Sequence, residues 1–241
     1  MTIGIDGCKS GWVAALQQSG EIRLEVFPDL DQLWQQYGPT CTLLLIDMPI
    51  GVSDGGPEGR SCDRLARRML SPRRHSSVFT PPCRQALYAP ILEASAVNYQ
   101  LTGKKLSRQT INIMPKMREV DQWLRNLPPT ARQRIRESHP EVVFTALNSG
   151  TPLFFNKKSK EGQSERLNLL EQHHPGMQEI LKEAQNRILR KTALTDDLID
   201  ALVLGIASKI ATGSPDCGQS LPHPPPLDAE GLRMEIFYVN P

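Results

Sequence analysis

The stretch TIGIDGCKSGWVAALQQSGEIRLEVFPD, residues 2–29, decides the fold class. Its first segment, Thr2 to Ile5, is short and rich in β-branched residues, and it stops at Asp6-Gly7. Trp12 to Leu16 follows, then a Gln17-Gln18-Ser19-Gly20 turn, then Glu21 to Phe27, where Ile22, Leu24 and Val26 alternate with polar residues. Alternation with a period of two marks a half-buried strand, and the Ser-Gly turn closes a hairpin. These features predict a three-stranded antiparallel meander. Asp29 then offers an N-cap, and Leu30, Leu33, Trp34 and Tyr37 recur at helical spacing until Gly38-Pro39. The next run, Leu43-Leu44-Leu45-Ile46, is apolar throughout, the pattern of a central strand covered on both faces and entering in parallel after a helix. It ends at Asp47-Met48-Pro49. Acids therefore close the first and the fourth strand of an expected α/β fold with a mixed sheet.

Beyond this frame, residues 54–133 read as a helical, basic, proline-rich insertion. Asp54-Gly55-Gly56-Pro57 opens it as a loop, Ser61 caps a basic helix through Leu70, and residues 73–82 are irregular. One helix passes through Ala94 and Tyr99 to a stop at Gly103; another passes through Met117, Val120 and Trp123, with Pro115 near its first turn. Arg134 to Ser138 reads as a strand, and Pro140 as the first residue of a helix through Leu147. Asn156 to Gly162 is a basic loop, and Glu165 to Leu170 and Met177 to Leu189 are amphipathic helices. The helix capped by Thr195 is apolar nearly all round and so is expected to be buried, yet its first turns carry Asp196, Asp197 and Asp200. Residues 214–228 are proline-rich and read as a linker to a last strand, Leu232 to Val239. A single domain over residues 1–241 is expected.

With 241 residues and 39% apolar composition, the chain can bury a full core. No apolar run approaches the ~18 residues of a membrane helix, and Met1 to Asp6 contains no basic leader, so neither a span nor a signal peptide is expected. Cys8, Cys41, Cys62, Cys83 and Cys217 lack Cys-x-x-Cys spacing, which fits a reducing, cytoplasmic setting and argues against a zinc cage. Cys8 and Cys62 read as packed thiols, and Trp12, Trp34 and Trp123 as core. The net charge of +2 hides an uneven distribution: residues 60–136 hold 16 Lys/Arg against 4 acids. A basic middle with acidic flanks suits a polyanion at one place and a cation at another, although basic runs also arise as solvated helix faces.

Neighbouring strands lie ~4.8 Å apart. If the first and fourth strands are adjacent, Asp6 and Asp47 stand side by side at the carboxyl edge, where ligands of open α/β sheets collect. On the late helix, Asp197 and Asp200 (i, i+3) and Asp196 and Asp200 (i, i+4) share a face. Like charges this close repel and raise one another's pKa unless a cation sits between them. Mg²⁺ or Mn²⁺, which favour hard oxygen ligands, would remove the conflict and equip the site for phosphodiester hydrolysis. Each acid also has an ordinary reading. Asp197 suits the positive end of the helix dipole, as does Glu141 in the helix after His139; Asp6 and Asp47 suit turns, and His139 suits an N-cap. Asp200 lies a turn further into a buried helix, where an unpaired acid is expensive.

The order of elements resembles the ribonuclease H-like fold, whose metal-carrying positions are a first-strand acid, a fourth-strand acid and late-helix acids. Asp197-x-x-Asp200-Ala201-Leu202 resembles the closing acidic helix of the Holliday-junction resolvases. A more specific set is Gly4-Ile5-Asp6-Gly7-Cys8-Lys9 with Gly11-Trp12, Ile46-Asp47-Met48-Pro49-Ile50-Gly51, Cys62-Asp63 with Ala66-Arg67, and Ser76-Ser77-Val78-Phe79. It continues with Pro115-Lys116, Glu119-Val120-Asp121, Glu137-Ser138-His139-Pro140-Glu141 and Asp196-Asp197-x-x-Asp200-Ala201. Over residues 1–212 this set is similar to domain-of-unknown-function family 429, described as predicted nucleases; Ser10 stands where that family more often has Gly. The resemblance implies a metal-bridging pair in Asp6 and Asp47, completion of the shell by Asp197 or Asp200, and Glu141 as an outer or additional ligand. It implies catalytic roles for Asp6, Asp47, Glu141 and Asp200, and phosphate contacts from Lys9, Arg67, Arg73, Arg74 and Lys116.

The expected activity is therefore divalent-metal-dependent cleavage of nucleic acid, DNA or RNA, in a chain with no membrane role. Two alternatives stand beside it. Gly4-Ile5-Asp6-Gly7 also opens the sugar-kinase and actin-type phosphotransferases, which use the meander twice, but no second Asp-Gly-Gly-Thr-like phosphate loop is present. A nucleic-acid or protein-binding module that kept the fold without the chemistry is the other. The basic insertion is either a substrate clamp or a homodimer surface.

Overall fold

Alternation along the strands sorts side chains onto two faces of one sheet. The computed structural model describes residues 1–241. Strands β1 (Thr2–Cys8), β2 (Gly11–Gln18) and β3 (Glu21–Phe27) form the expected meander, and α1 (Leu30–Tyr37) leads to β4 (Leu43–Ile46). Helices α2 (Ser61–Met69), α3 (Arg84–Tyr88), α4 (Ile91–Thr102), α5 (Arg108–Asn126) and α6 (Pro129–Arg132) precede β5 (Ile135–Glu137). Helices α7 (Pro140–Leu147), α8 (Lys160–His173), α9 (Met177–Arg187) and α10 (Thr195–Gly213) follow, then β6 (Gly218–Leu221) and β7 (Ile236–Val239).

The main sheet has the order β3-β2-β1-β4-β5, and the meander occurs once. The β1–β2 and β2–β3 pairs are antiparallel, and β1–β4 and β4–β5 are parallel. The expected mixed α/β sheet is thus present. Ile3, Ile5, Trp12, Ala14, Leu44 and Ile46 pack on the face covered by α1 and α5. Val13, Ala15 and Leu45 pack on the opposite face, against α7, α8, α9 and α10. Helix α10 crosses β1, β2 and β4. It is buried along Leu198 to Ser208, as its all-round apolar sequence predicts. No helix is long and apolar enough to cross a membrane.

Three sequence expectations shift. Helix α5 begins at Arg108 because the Ser107 side chain accepts from Thr110 N at 3.0 Å, so Pro115 lies in the helix interior and not in its first turn. Residues 214–228 contain strand β6, which pairs antiparallel with β7. Its sequence, Gly-Gln-Ser-Leu, has no alternation to signal a strand. The last strand is correspondingly shorter, starting at Ile236, and the ribbon docks on the main sheet where Ser138 Oγ donates to Phe237 O at 2.7 Å.

Candidate metal centre

The parallel register ends with Ile5 beside Ile46, so Asp6, within β1, and the residue after β4, Asp47, stand side by side where the two strands part. Asp47 N donates to Ile5 O at 2.9 Å, extending the ladder to the acid itself. Asp6 follows Gly4 by two residues and so projects to the same face, the one that α10 covers. Asp200, in the second turn of α10, meets both strand acids there. Each of Asp6, Asp47 and Asp200 offers a carboxylate oxygen, and these oxygens lie within 4.8 Å of one another.

The electrostatics of this cluster are strained in the metal-free chain. Burial, and then the Asp47 and Asp200 charges, push the Asp6 carboxyl well above its usual range. Burial likewise raises Asp47, with His139 and Lys157 partly offsetting it. Asp200 is pushed up to about 6 by burial, with Lys157 opposing the shift. Partners are few. Asp6 Oδ1 accepts from Gly7 N at 2.7 Å, and Asp200 Oδ2 accepts from Lys157 Nζ at 2.6 Å. Asp200 Oδ1 is buried without any hydrogen-bond partner. An orphaned carboxylate oxygen amid two other acids is a cost that a cation bound by hard oxygens would remove, so the three acids could hold a metal ion.

Asp47 and Asp200 form part of the wall of a cleft of about 430 Å³, lined also by Arg74, Phe79, His139, Glu141, Asn156, Lys157 and Lys158. Glu141 reaches this cleft but stands outside the three-oxygen group. The buried Arg166 guanidinium holds its Oε1 through Nη2, and through Nε at 3.2 Å. Its Oε2 has no hydrogen-bond partner and lies 4.0 Å from Arg74 Nε. His139 precedes α7 at the N-cap position but makes no side-chain cap, so the capping role is not the one it plays. Its Nε2 lies 3.4 Å from Ser77 O, and its Nδ1 is buried without a partner.

Other expectations are corrected. Asp197 does not join the metal cluster; its Oδ2 accepts from Leu194 N at 2.8 Å, the reach-back of an acid at the third helical position. That separates Asp197 from Asp200. Among the phosphate-contact candidates, Lys116 donates to Gly11 O at 2.5 Å and covers the Trp12 ring, so it braces the β1–β2 turn. Arg67 is tied to Val78 O and Thr80 Oγ1, both at 2.9 Å, and holds the irregular loop. Arg73 lies over the Phe154 ring, and Lys9 is exposed with no side-chain partner. Only Arg74 of the five lines the cleft, while also donating to Leu153 O and Phe154 O.

The basic stretch 60–136 is largely bonded to protein. Arg60 is buried against Glu137 and Asp63, Arg84 and Arg125 share Asp121, and Arg118, Arg132 and Arg134 donate to backbone carbonyls. Arg136 pairs with Glu235 at 2.5 Å. The cations that pair with the acids of this cleft, Lys157 and Arg166, carry no signal in the sequence beyond the basic loop around Lys157. Their acids lie 43 and 25 residues away, a separation that leaves no local pattern.

No curated protein and no solved structure matches the chain. A family model does match, over residues 4–227, a span that contains Asp6, Asp47, Glu141, Lys157 and Asp200 alike. The chain therefore belongs to the family described as protein of unknown function, DUF429.

Proposed function

We propose that this protein is a divalent-metal-dependent nuclease with a ribonuclease H-like fold. One observation carries the reading: three carboxylate oxygens, from β1, the end of β4 and a helix far apart in sequence, lie within 4.8 Å of one another beside a polar cleft. The β3-β2-β1-β4-β5 order, with acids after β4 and within β1, agrees with the fold that the sequence resembles. A bound Mg²⁺ or Mn²⁺ would supply Lewis acidity, making water a usable nucleophile near neutral pH and stabilising the leaving oxygen. Asp6, Asp47 and Asp200 would hold it. Lys157 offsets part of the carboxylate charge, Glu141 is kept in the wall by Arg166, and Arg74 and Lys158 offer positive charge to a phosphodiester in the cleft.

The test is incubation of the pure protein with labelled single-stranded, duplex and branched DNA and RNA, in Mg²⁺, in Mn²⁺ and in chelator. Metal-dependent cleavage that is lost in Asp6→Asn supports the reading. Cleavage of nothing by the wild type, or equal cleavage by Asp6→Asn, overturns it.

A further inference from the structure

The insertion's cations mostly have protein partners, so the free positive charge must be sought elsewhere. Lys158, Lys160 and Arg190 make no side-chain hydrogen bond or ion pair, and together they line a second cavity of about 490 Å³ in which no acid takes part. Lys158 lines this cavity and the three-acid cleft alike, so the two recesses adjoin. Ser10 N donates to Thr192 O at 3.2 Å, which brings the unpaired Lys9 beside the loop of Arg190 and Lys191.

On the other side of Asn156 and Lys157, Phe154 and Phe155 are 62% and 44% exposed. Their rings meet edge to face at 5.1 Å. They are not loosely held. Both backbone N–H groups donate to the Glu165 carboxylate, at 2.8 and 2.9 Å, and Arg74 grips Phe154 O at 2.6 Å while lining the acid cleft. Arg73 covers one face of the Phe154 ring, and the faces that remain on the two adjacent aromatics offer unpaired bases a place to stack, whereas the bases of a duplex already stack on one another.

We propose that the substrate is a single-stranded segment of nucleic acid that crosses the three-acid cleft from the Phe154–Phe155 rim to a phosphate-binding cavity formed by Lys158, Lys160 and Arg190. This rests on the nuclease reading and names the form of substrate and its path.

The test is fluorescence anisotropy in chelator, with labelled oligothymidylate and oligouridylate of about 12 nucleotides and with a duplex of the same length. Single strands bind more tightly than duplex. Combined Lys158→Ala, Lys160→Ala and Arg190→Ala weakens single-strand binding at least about 10-fold and flattens the log–log salt slope by about 2, the value for three lost phosphate contacts. Phe154→Ala with Phe155→Ala weakens it about 10-fold with the salt slope unchanged. Arg68→Ala with Lys105→Ala, two exposed cations of the insertion, leaves binding as it was. Equal binding of duplex, an unweakened triple variant, or an equal loss in the Arg68/Lys105 variant overturns the proposal. Binding through these residues without metal-dependent cleavage would sink the nuclease reading and leave the surface standing. Cleavage with an unweakened triple variant would do the reverse.

Discussion

Gly4 of β1 and Gly205 of α10 meet backbone to backbone: a Cβ on Gly4 would fall 2.0 Å from Gly205 N and 2.4 Å from the Leu204 carbonyl carbon. This crossing sets how deeply the helix sits on the sheet. Asp6 lies two residues along one partner and Asp200 five residues back along the other, so the same contact sets the distance between the two acids. Gly4→Ala should therefore cost about 4 kcal/mol of stability, because the clash is with backbone that cannot rotate away. It should also abolish any response to Mn²⁺ without touching a ligand. Gly205→Ala, whose Cβ would meet Ala15 Cβ at 3.0 Å, should cost about 1 kcal/mol. Urea unfolding of the two variants, with and without Mn²⁺, checks both values.

Asp6→Asn should raise the melting temperature of the metal-free protein, an unusual sign for a buried substitution. Its carboxylate is penalised by burial and by Asp47 and Asp200, and only Gly7 N bonds it. Relief of about 1 kcal/mol corresponds to about 2–4 °C in a chain of this size. The same variant should lose the rise that Mn²⁺ produces in the wild type. Thermal melting with and without metal reads both effects; an Asp6→Asn protein that is less stable than wild type yet keeps the Mn²⁺ response would mark Asp6 as structural.

Strand ends were the legible part of the site. Asp6 and Asp47 each stand where a strong local pattern stops, so their meeting required only that two strands be neighbours. Asp197 and Asp200 share a helix face, and spacing alone could not separate them. A single backbone bond does, since the Asp197 carboxylate turns back to Leu194 N. Pairings that span the chain, Lys157 with Asp200 and Arg166 with Glu141, have no sequence signature. The excess of basic residues in 60–136 overstates the free charge there, because a count weighs Arg134, bonded to Gly38 O and Cys41 O, the same as the unpaired Lys160.

The pH dependence follows from the same acids. Asp6, Asp47 and Asp200 all titrate above their unfolded values, Asp200 at about 6. A carboxyl raised on folding favours the folded state while protonated, so its contribution is complete below about pH 4 and is lost as pH rises through the folded value. The metal-free protein should thus lose stability from this cluster between about pH 4 and pH 6 and beyond. Metal needs the carboxylates ionised, so the Mn²⁺-induced rise in melting temperature should be small at pH 5 and large at pH 7.5. Melting curves across that range, with and without Mn²⁺, show whether the two trends run in opposite directions as required.

Lys157 is the counter-ion of Asp200 and, on the proposed metal-dependent reading, a competitor for the ion. Its Nζ sits 2.6 Å from Asp200 Oδ2, with 37% of the lysine side chain exposed and only 1% of the aspartate. Lys157→Met keeps the length of the chain and removes the charge, leaving Asp200 to ionise in a buried site beside two other acids. At neutral pH the metal-free variant should lose about 2 kcal/mol, less than the 3–5 kcal/mol of a fully buried pair because water already reaches the lysine. Lowering the pH to 5 should restore most of the loss, since a protonated Asp200 has no need of the cation. Metal affinity should move the other way, with Mn²⁺ binding more tightly by calorimetry once no ammonium competes for Oδ2. A variant less stable at both pH values, with Mn²⁺ bound no better, would show that Lys157 serves packing and that Asp200 is neutral without it.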